Sequence, residues 1–163
     1  MANTVRLKNY LNVFEEYPAH DNDIVPGHLL KFLNTGKVDS HPDEEGKAIP
    51  MFALEDELQG KTIDDKYSTD QPVQVWIAQR GDQAYAILKD GESVVKGDYL
   101  VSAGNGELKK STPQESMTVE SMGTIEEMRL AIVAQALEAV DLSDSSGVWS
   151  PTPHERRIKV RIV

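Results

Sequence analysis

Two stretches of the chain follow one template. In "PGHLLKFLNTGKV" (Pro26–Val38) and "KGDYLVSAGNGEL" (Lys96–Leu108), Gly27 and Gly36 fall where Gly97 and Gly106 fall, with Leu30 over Leu100 and Val38 over Leu108. Each reads as a turn glycine, a strand, a tight corner closed by glycine, and the start of a return strand, because glycine reaches positive φ without steric cost. Farther along, "IPMFALE" (Ile49–Glu55) matches "IVAQALE" (Ile132–Glu138) in its first residue and its last three, and "VQVWI" (Val73–Ile77) matches "IKVRI" (Ile158–Ile162). Landmarks recurring in the same order make an internal duplication. Two copies are too few for a solenoid, so the pattern predicts two similar β-layers closing on each other: a mainly β chain, an antiparallel β-barrel or sandwich with repeat halves at about 25–80 and 95–163.

Alternation in "VQVWI" and "IKVRI" places valine and isoleucine on a buried face and Gln74, Trp76, Lys159 and Arg161 on a wet one. Trp76 on that wet side marks a second packing surface. Packing within the chain is the first explanation, and self-association through Trp76 is the other. "TIEEMRLAIVAQALEAV" (Thr124–Val140) opens with a capping box and carries strong helix formers, whereas the duplication demands a strand there. The two signals together predict a short helix near Thr124–Arg129 and a strand from about Ala131 to Ala139, with at most one or two short helices in the chain. Extra residues in the second copy, around Ser111–Gly123 and Ser143–Pro153, are expected to be loops.

Composition narrows the function classes. At 163 residues the chain is expected to form a single domain after an N-terminal segment 1–24. It has no cysteine, so disulfides and thiolate metal sites are excluded. No apolar run reaches the roughly 18 residues of a membrane span, and the first residues lack a signal-peptide core, so a soluble, unprocessed chain with no membrane partner is expected. The formal net charge of −10 repels phosphates, and no nucleic-acid partner is expected.

Motifs of catalysis end as fragments. "ELQGKT" (Glu57–Thr62) closes like a phosphate loop but has Glu55 where the wrapping glycine belongs. "SVVK" (Ser93–Lys96) has a Ser-x-x-Lys spacing without the helical turn that would stack the pair. "RGD" (Arg80–Asp82) reads as a hairpin corner between a strand ending at Ile77 and one beginning at Tyr85. His20, His28, His41 and His154 lie without metal-ligand spacing, and "HPDEEG" (His41–Gly46) and "EDE" (Glu55–Glu57) lack the periodicity of a calcium loop. No catalytic residue, cofactor site or metal site is therefore assigned, and the chain is not expected to be an enzyme. "NTVRLKNYLNVFEEY" mixes Arg6 and Lys8 with Leu7, Tyr10, Val13 and Phe14. It is either an extended arm able to add a strand to an exposed edge or the first strand of the chain's own barrel.

Taken together, "RLKNYLNVFEEY" (Arg6–Tyr17), "IPMFALEDELQGK" (Ile49–Lys61), "VQVWIAQRGDQAYAIL" (Val73–Leu88), "ALEAVDLS" (Ala136–Ser143) and the ending "RIKVRIV" resemble capsid decoration (cement, or head-stabilising) proteins of tailed double-stranded DNA bacteriophages. The resemblance implies a non-catalytic virion protein, made in the host cytoplasm and placed on the outer capsid surface. It implies binding to the phage major capsid protein, commonly as a homotrimer with a dimer as the other arrangement, bridging neighbouring subunits against internal DNA pressure. Arg6, Leu7, Lys8, Tyr10, Val13 and Phe14 are the capsid-contact candidates. The alternative is a virion-displayed module that binds a host-surface glycan or another virion protein.

Overall fold

The structure is a computed structural model, described for residues 3–9, 13–112, 131–144, 152 and 155–163. Its strands are short. They run β1 (Arg6–Lys8), β2 (Phe14–Pro18), β3 (Leu30–Phe32), β4 (Val38–Ser40), β5 (Met51–Ala53), β6 (Pro72–Ile77) and β7 (Gln83–Ile87). After them come β8 (Ser93–Val94), β9 (Tyr99–Gly104), β10 (Glu107–Lys110), β11 (Ile132–Ala136), β12 (Val140–Asp141) and β13 (Arg157–Ile162). A single 3-10 turn, Glu57–Gln59, interrupts the β5–β6 connection. The chain is mainly β and its strand pairs are antiparallel.

The duplication is present in the hydrogen bonds. In the first unit β2 pairs with β6 and β6 with β5, the bridge Leu29↔Phe52 carries β5 to β3, β3 pairs with β4, and a parallel bridge Ala19↔Val38 brings β4 back to the end of β2. The second unit repeats this: β7 with β13, β13 with β11, β11 with β9, β9 with β10, and the parallel bridge Leu88↔Leu108. Each unit is thus a small five-stranded barrel, which removes most free sheet edge without long strands. The match reaches single bonds. Gly27 N–H donates to Ala53 O and Gly97 N–H to Ala136 O, both at 2.9 Å, while Leu54 N–H reaches Gln74 O at 2.8 Å and Leu137 N–H reaches Lys159 O at 2.9 Å.

Three sequence expectations change here. The repeat unit is longer than the halves 25–80 and 95–163, since β2 and β7 belong to it. The segment 1–24 is not a free arm where it is described: β1 pairs with β7 and β2 with β6, so strands of the chain's own sheets satisfy their backbone groups. Arg80–Asp82 forms a turn, held by Gln79 N–H on Asp82 Oδ2 (2.8 Å) and by Gly81 at φ 95°. It is not a hairpin corner, because β6 and β7 lie in different sheets, so this turn joins the units, and Asp82 is fully buried in it.

The expected strand near 131–139 is β11, at Ile132–Ala136. The helix expected at Thr124–Arg129 lies outside the described residues, as do most of the two predicted loops. Among the described residues no helix is long and apolar enough to cross a membrane.

Two cores follow from the two units. Leu30, Val38, Met51, Ala53, Tyr67, Val73 and Val75 fill the first barrel. Ala84, Ala86, Leu100, Leu108, Val133, Ala134, Ile158, Val160 and Ile162 lie in a second cluster that also takes in Phe52, Trp76 and Leu29 from the first unit. On β13 the alternation works as read, with Lys159 and Arg161 exposed. On β6 it does not. Trp76 is fully buried, 6.5 Å from Phe52 between ring centroids, because this outer face of the first barrel packs on the second. Trp76 is accordingly not a self-association surface.

Candidate functional site

The inner faces of β2, β3, β5 and β6 are not fully covered at one end of the first barrel. Glu15, Tyr17, Leu30, Phe32, Met51 and Ile77 open there into a groove of about 420 Å³ that Ile49, Lys31 and Lys47 rim. Phe32 is 51% exposed and Ile49 66%, and the rings of Tyr17 and Phe32 meet edge to face at 4.8 Å. The corresponding residues of the second unit are Ala84, Ala86, Leu100, Ser102, Ala134 and Ile162, and all are buried. Small side chains close there a face that the first unit leaves open with large ones. An apolar patch rimmed by polar groups is the kind of surface on which a partner or ligand docks. At its edge, Tyr17 Oη donates to Glu15 Oε2 at 2.6 Å, and this bond to the carboxylate raises the phenol above its ordinary pKa.

Beneath the groove lies a serine–histidine pair. His41 Nε2 lies 3.2 Å from Lys47 O and Nδ1 lies 3.1 Å from Ser102 Oγ. A carbonyl only accepts, so Nε2 donates; in the singly protonated ring Nδ1 accepts from the Ser102 hydroxyl, whose oxygen in turn accepts Gly104 N–H at 3.2 Å. The orientation is that of an activated nucleophile. The surroundings are not, because Ser102 is fully buried and His41, which reaches the groove, is only 2% exposed. The pair ties a first-unit loop to β9.

A second, polar groove of about 380 Å³ surrounds His28 and is lined by Asp21, Asp23, Asp39, Lys66, Glu107 and Arg156. His28 is 7% exposed, with Val25 N–H on its Nδ1 at 3.4 Å and Ser40 Oγ at 3.1 Å. Burial, then the positive charges of Arg156, Arg157 and Lys66, lower its pKa to about 3, so the ring is neutral. Arg156 itself donates to Glu107 Oε1 at 2.6 Å.

The capsid-contact candidates separate in space. Arg6, Leu7 and Lys8 lie on β1, the outer strand of the larger sheet; Leu7 packs on the core and Lys8 is exposed. Arg6 stands 4.8 Å from the Phe14 ring centroid, a cation–π pair beside a shallow cavity that also takes in Leu54, Glu57 and Leu58. Val13 and Phe14 are 38% and 44% exposed, and Tyr10 lies outside the described residues. The structure therefore brings Arg6 and Phe14 together and adds Phe32 and Ile49, which sequence reading passed over. Their signal was Phe32 two places after Leu30, on the face that its duplicate Ser102 buries.

No family model and no curated protein matches the chain. Among solved structures, the chain is similar to the N-terminal base of the head fiber gp8.5 in bacteriophage phi29. The TM-score is 0.54 at 12% identity, over 94% of this chain and 95% of that one. The likeness is one of fold and spans both barrels.

Proposed function

We propose that the chain is a structural protein of a bacteriophage virion that sits on the outer surface of the expanded head. There it bridges neighbouring major capsid protein subunits and stabilises the shell, with no catalytic step. The observation that carries this reading is the full-length likeness to the base of a phage head fiber. The residues agree with it: the apolar groove of the first barrel presents Phe32 and Ile49 to a partner. A bridge across capsomer boundaries must release several contacts together, so modest individual interfaces suffice, and a trimer would multiply them. Docking only on expanded heads would select one capsid state.

The test uses purified protein and heads that lack their outer layer. Binding at a saturating copy number, with a higher disruption temperature, is the expected result, and Phe32→Asp together with Ile49→Asp should abolish binding while the protein keeps its own melting temperature. Absence of binding by the unaltered protein at micromolar concentration would overturn the reading.

A further inference from the structure

The duplication carries a second site that neither the fold likeness nor the apolar groove explains. His20 N–H donates to Val38 O at 2.8 Å, and Lys89 N–H donates to Leu108 O at 2.8 Å. His20 thus matches Lys89, Asp21 matches Asp90, and Asp39 on β4 matches Lys109 on β10. In the second unit the side chains at the first and third of these positions converge on one ligand. Lys89 Nζ lies 3.4 Å and Lys109 Nζ 2.9 Å from the same Glu44 Oε1, and Lys109 also binds Glu45 Oε1 at 2.7 Å. A loop of the first unit delivers that ligand, with Glu45 N–H anchored on Ser102 O at 2.8 Å. These backbone positions therefore aim their side chains at a common point that is filled by a group of opposite charge.

In the first unit the third position is inverted, with Asp39 in place of Lys109, and the first is a histidine in place of a lysine. His20, Asp21 and Asp39 each offer one ligand atom, and these atoms lie within 4.8 Å of one another. Lys66 and Arg156 line the same groove as Asp21 and Asp39, and Arg156 is taken by Glu107. Among the described residues Lys37 pairs with Asp70 and Lys66 with Asp23, and no lysine or arginine pairs with Asp21 or Asp39. Ser40 N–H holds Asp39 Oδ1 at 2.8 Å, which orients this carboxylate.

We propose that His20, Asp21 and Asp39 form a binding site for a divalent cation of the zinc type. An imidazole nitrogen beside two carboxylates suits a borderline cation better than calcium or magnesium, which take oxygen donors. Bonds of about 2.1 Å in a tetrahedral shell set donors about 3.4 Å apart. Rotation of the exposed His20 and Asp21 side chains closes that difference, and water completes the shell. A basic side chain from a partner would need only the carboxylates; the imidazole is what favours a metal.

Calorimetric titration of the full chain with zinc chloride, with calcium chloride as the control, tests the site. Nuclear magnetic resonance locates it. The expected result is one equivalent of zinc bound at micromolar concentration, calcium at least tenfold weaker, and the earliest amide shifts at residues 20, 21 and 39. His20→Ala and Asp39→Asn should each weaken zinc at least tenfold without moving the melting temperature of the metal-free chain. Unchanged zinc affinity in His20→Ala, first shifts elsewhere, or binding of a lysine-rich peptide in place of zinc would overturn the proposal.

Discussion

Gly106 packs so closely on His28 that a Cβ added to the glycine would stand 2.9 Å from both Cβ and Cγ of the histidine. This contact joins the hairpin tip of the second barrel to the first. Gly106 N–H donates to His41 O at 3.0 Å, and Leu29 N–H donates to Gly106 O at 2.7 Å. Its duplicate, Gly36, has nearly the same backbone (φ 80° against 75°) with nothing within 4 Å of the added carbon. Gly36→Ala is expected to cost about 1–2 kcal/mol, the penalty of a left-handed conformation alone. Gly106→Ala adds an overpacking term of about 1–3 kcal/mol. Urea denaturation of both variants measures the difference; equal losses would mean that the tip does not pack on His28.

Trp76 is fully buried and its indole N–H has no hydrogen-bond partner among the described residues. Truncation to alanine should therefore cost about 3–5 kcal/mol, as large aromatic deletions in a core do. Trp76→Phe removes the unsatisfied donor and keeps an aromatic ring, so its cost should stay below that of alanine by about 2 kcal/mol or more. Denaturant midpoints of the two variants decide the matter. A surface role for Trp76 would make both changes nearly neutral.

His28 makes the fold acid-sensitive above the range where carboxylates titrate. Its pKa is about 3 when folded, and an unfolded histidine titrates near 6.5. As pH falls below about 6.5 the unfolded chain binds a proton that the native ring refuses, so stability declines towards pH 3, by up to about 1.4 kcal/mol per pH unit. Asp43, Glu44 and Asp98, whose pKa values are held down chiefly by bonds to Lys31, Lys109 and Val95 N–H respectively, contribute in the same direction only below about pH 4. His28→Asn should abolish the slope between pH 6.5 and 5. The molecule already uses a short acceptor at the matching position, where Val95 N–H donates to Asp98 Oδ2 at 2.9 Å. Stability curves at several pH values check this.

Arg157 ties β13 to the first barrel. Its fully buried side chain donates to Pro26 O at 3.0 Å and Ile63 O at 2.5 Å and pairs with Asp64 at 2.9 Å. Arg157→Met strands two buried carbonyls and an acidic partner, at an expected cost of about 2–4 kcal/mol. Asp64 is 53% exposed, so Asp64→Ala should cost less than about 1 kcal/mol. Thermal unfolding of the pair tests whether the carbonyls, not the ion pair, carry the contact.

The duplication was legible in the residues because the same backbone demand recurs: a glycine at each corner, an apolar residue at each inward position. Those demands are local, and they led to the β class, to β6 and β13 as matching strands, and to β11 in a segment whose propensity favours helix. Alternation, however, names the two faces of a strand without saying what covers the outer one. Trp76 on β6 and Arg161 on β13 hold matching positions, yet one is buried and the other exposed, because only the first barrel turns that face onto its twin. The same long-range packing decided that Arg80–Asp82 joins two barrels, that Phe32 stands open where Ser102 is closed, and that His20 and Asp39 meet across strands. Such placements depend on contacts between residues far apart in sequence, which no local pattern encodes.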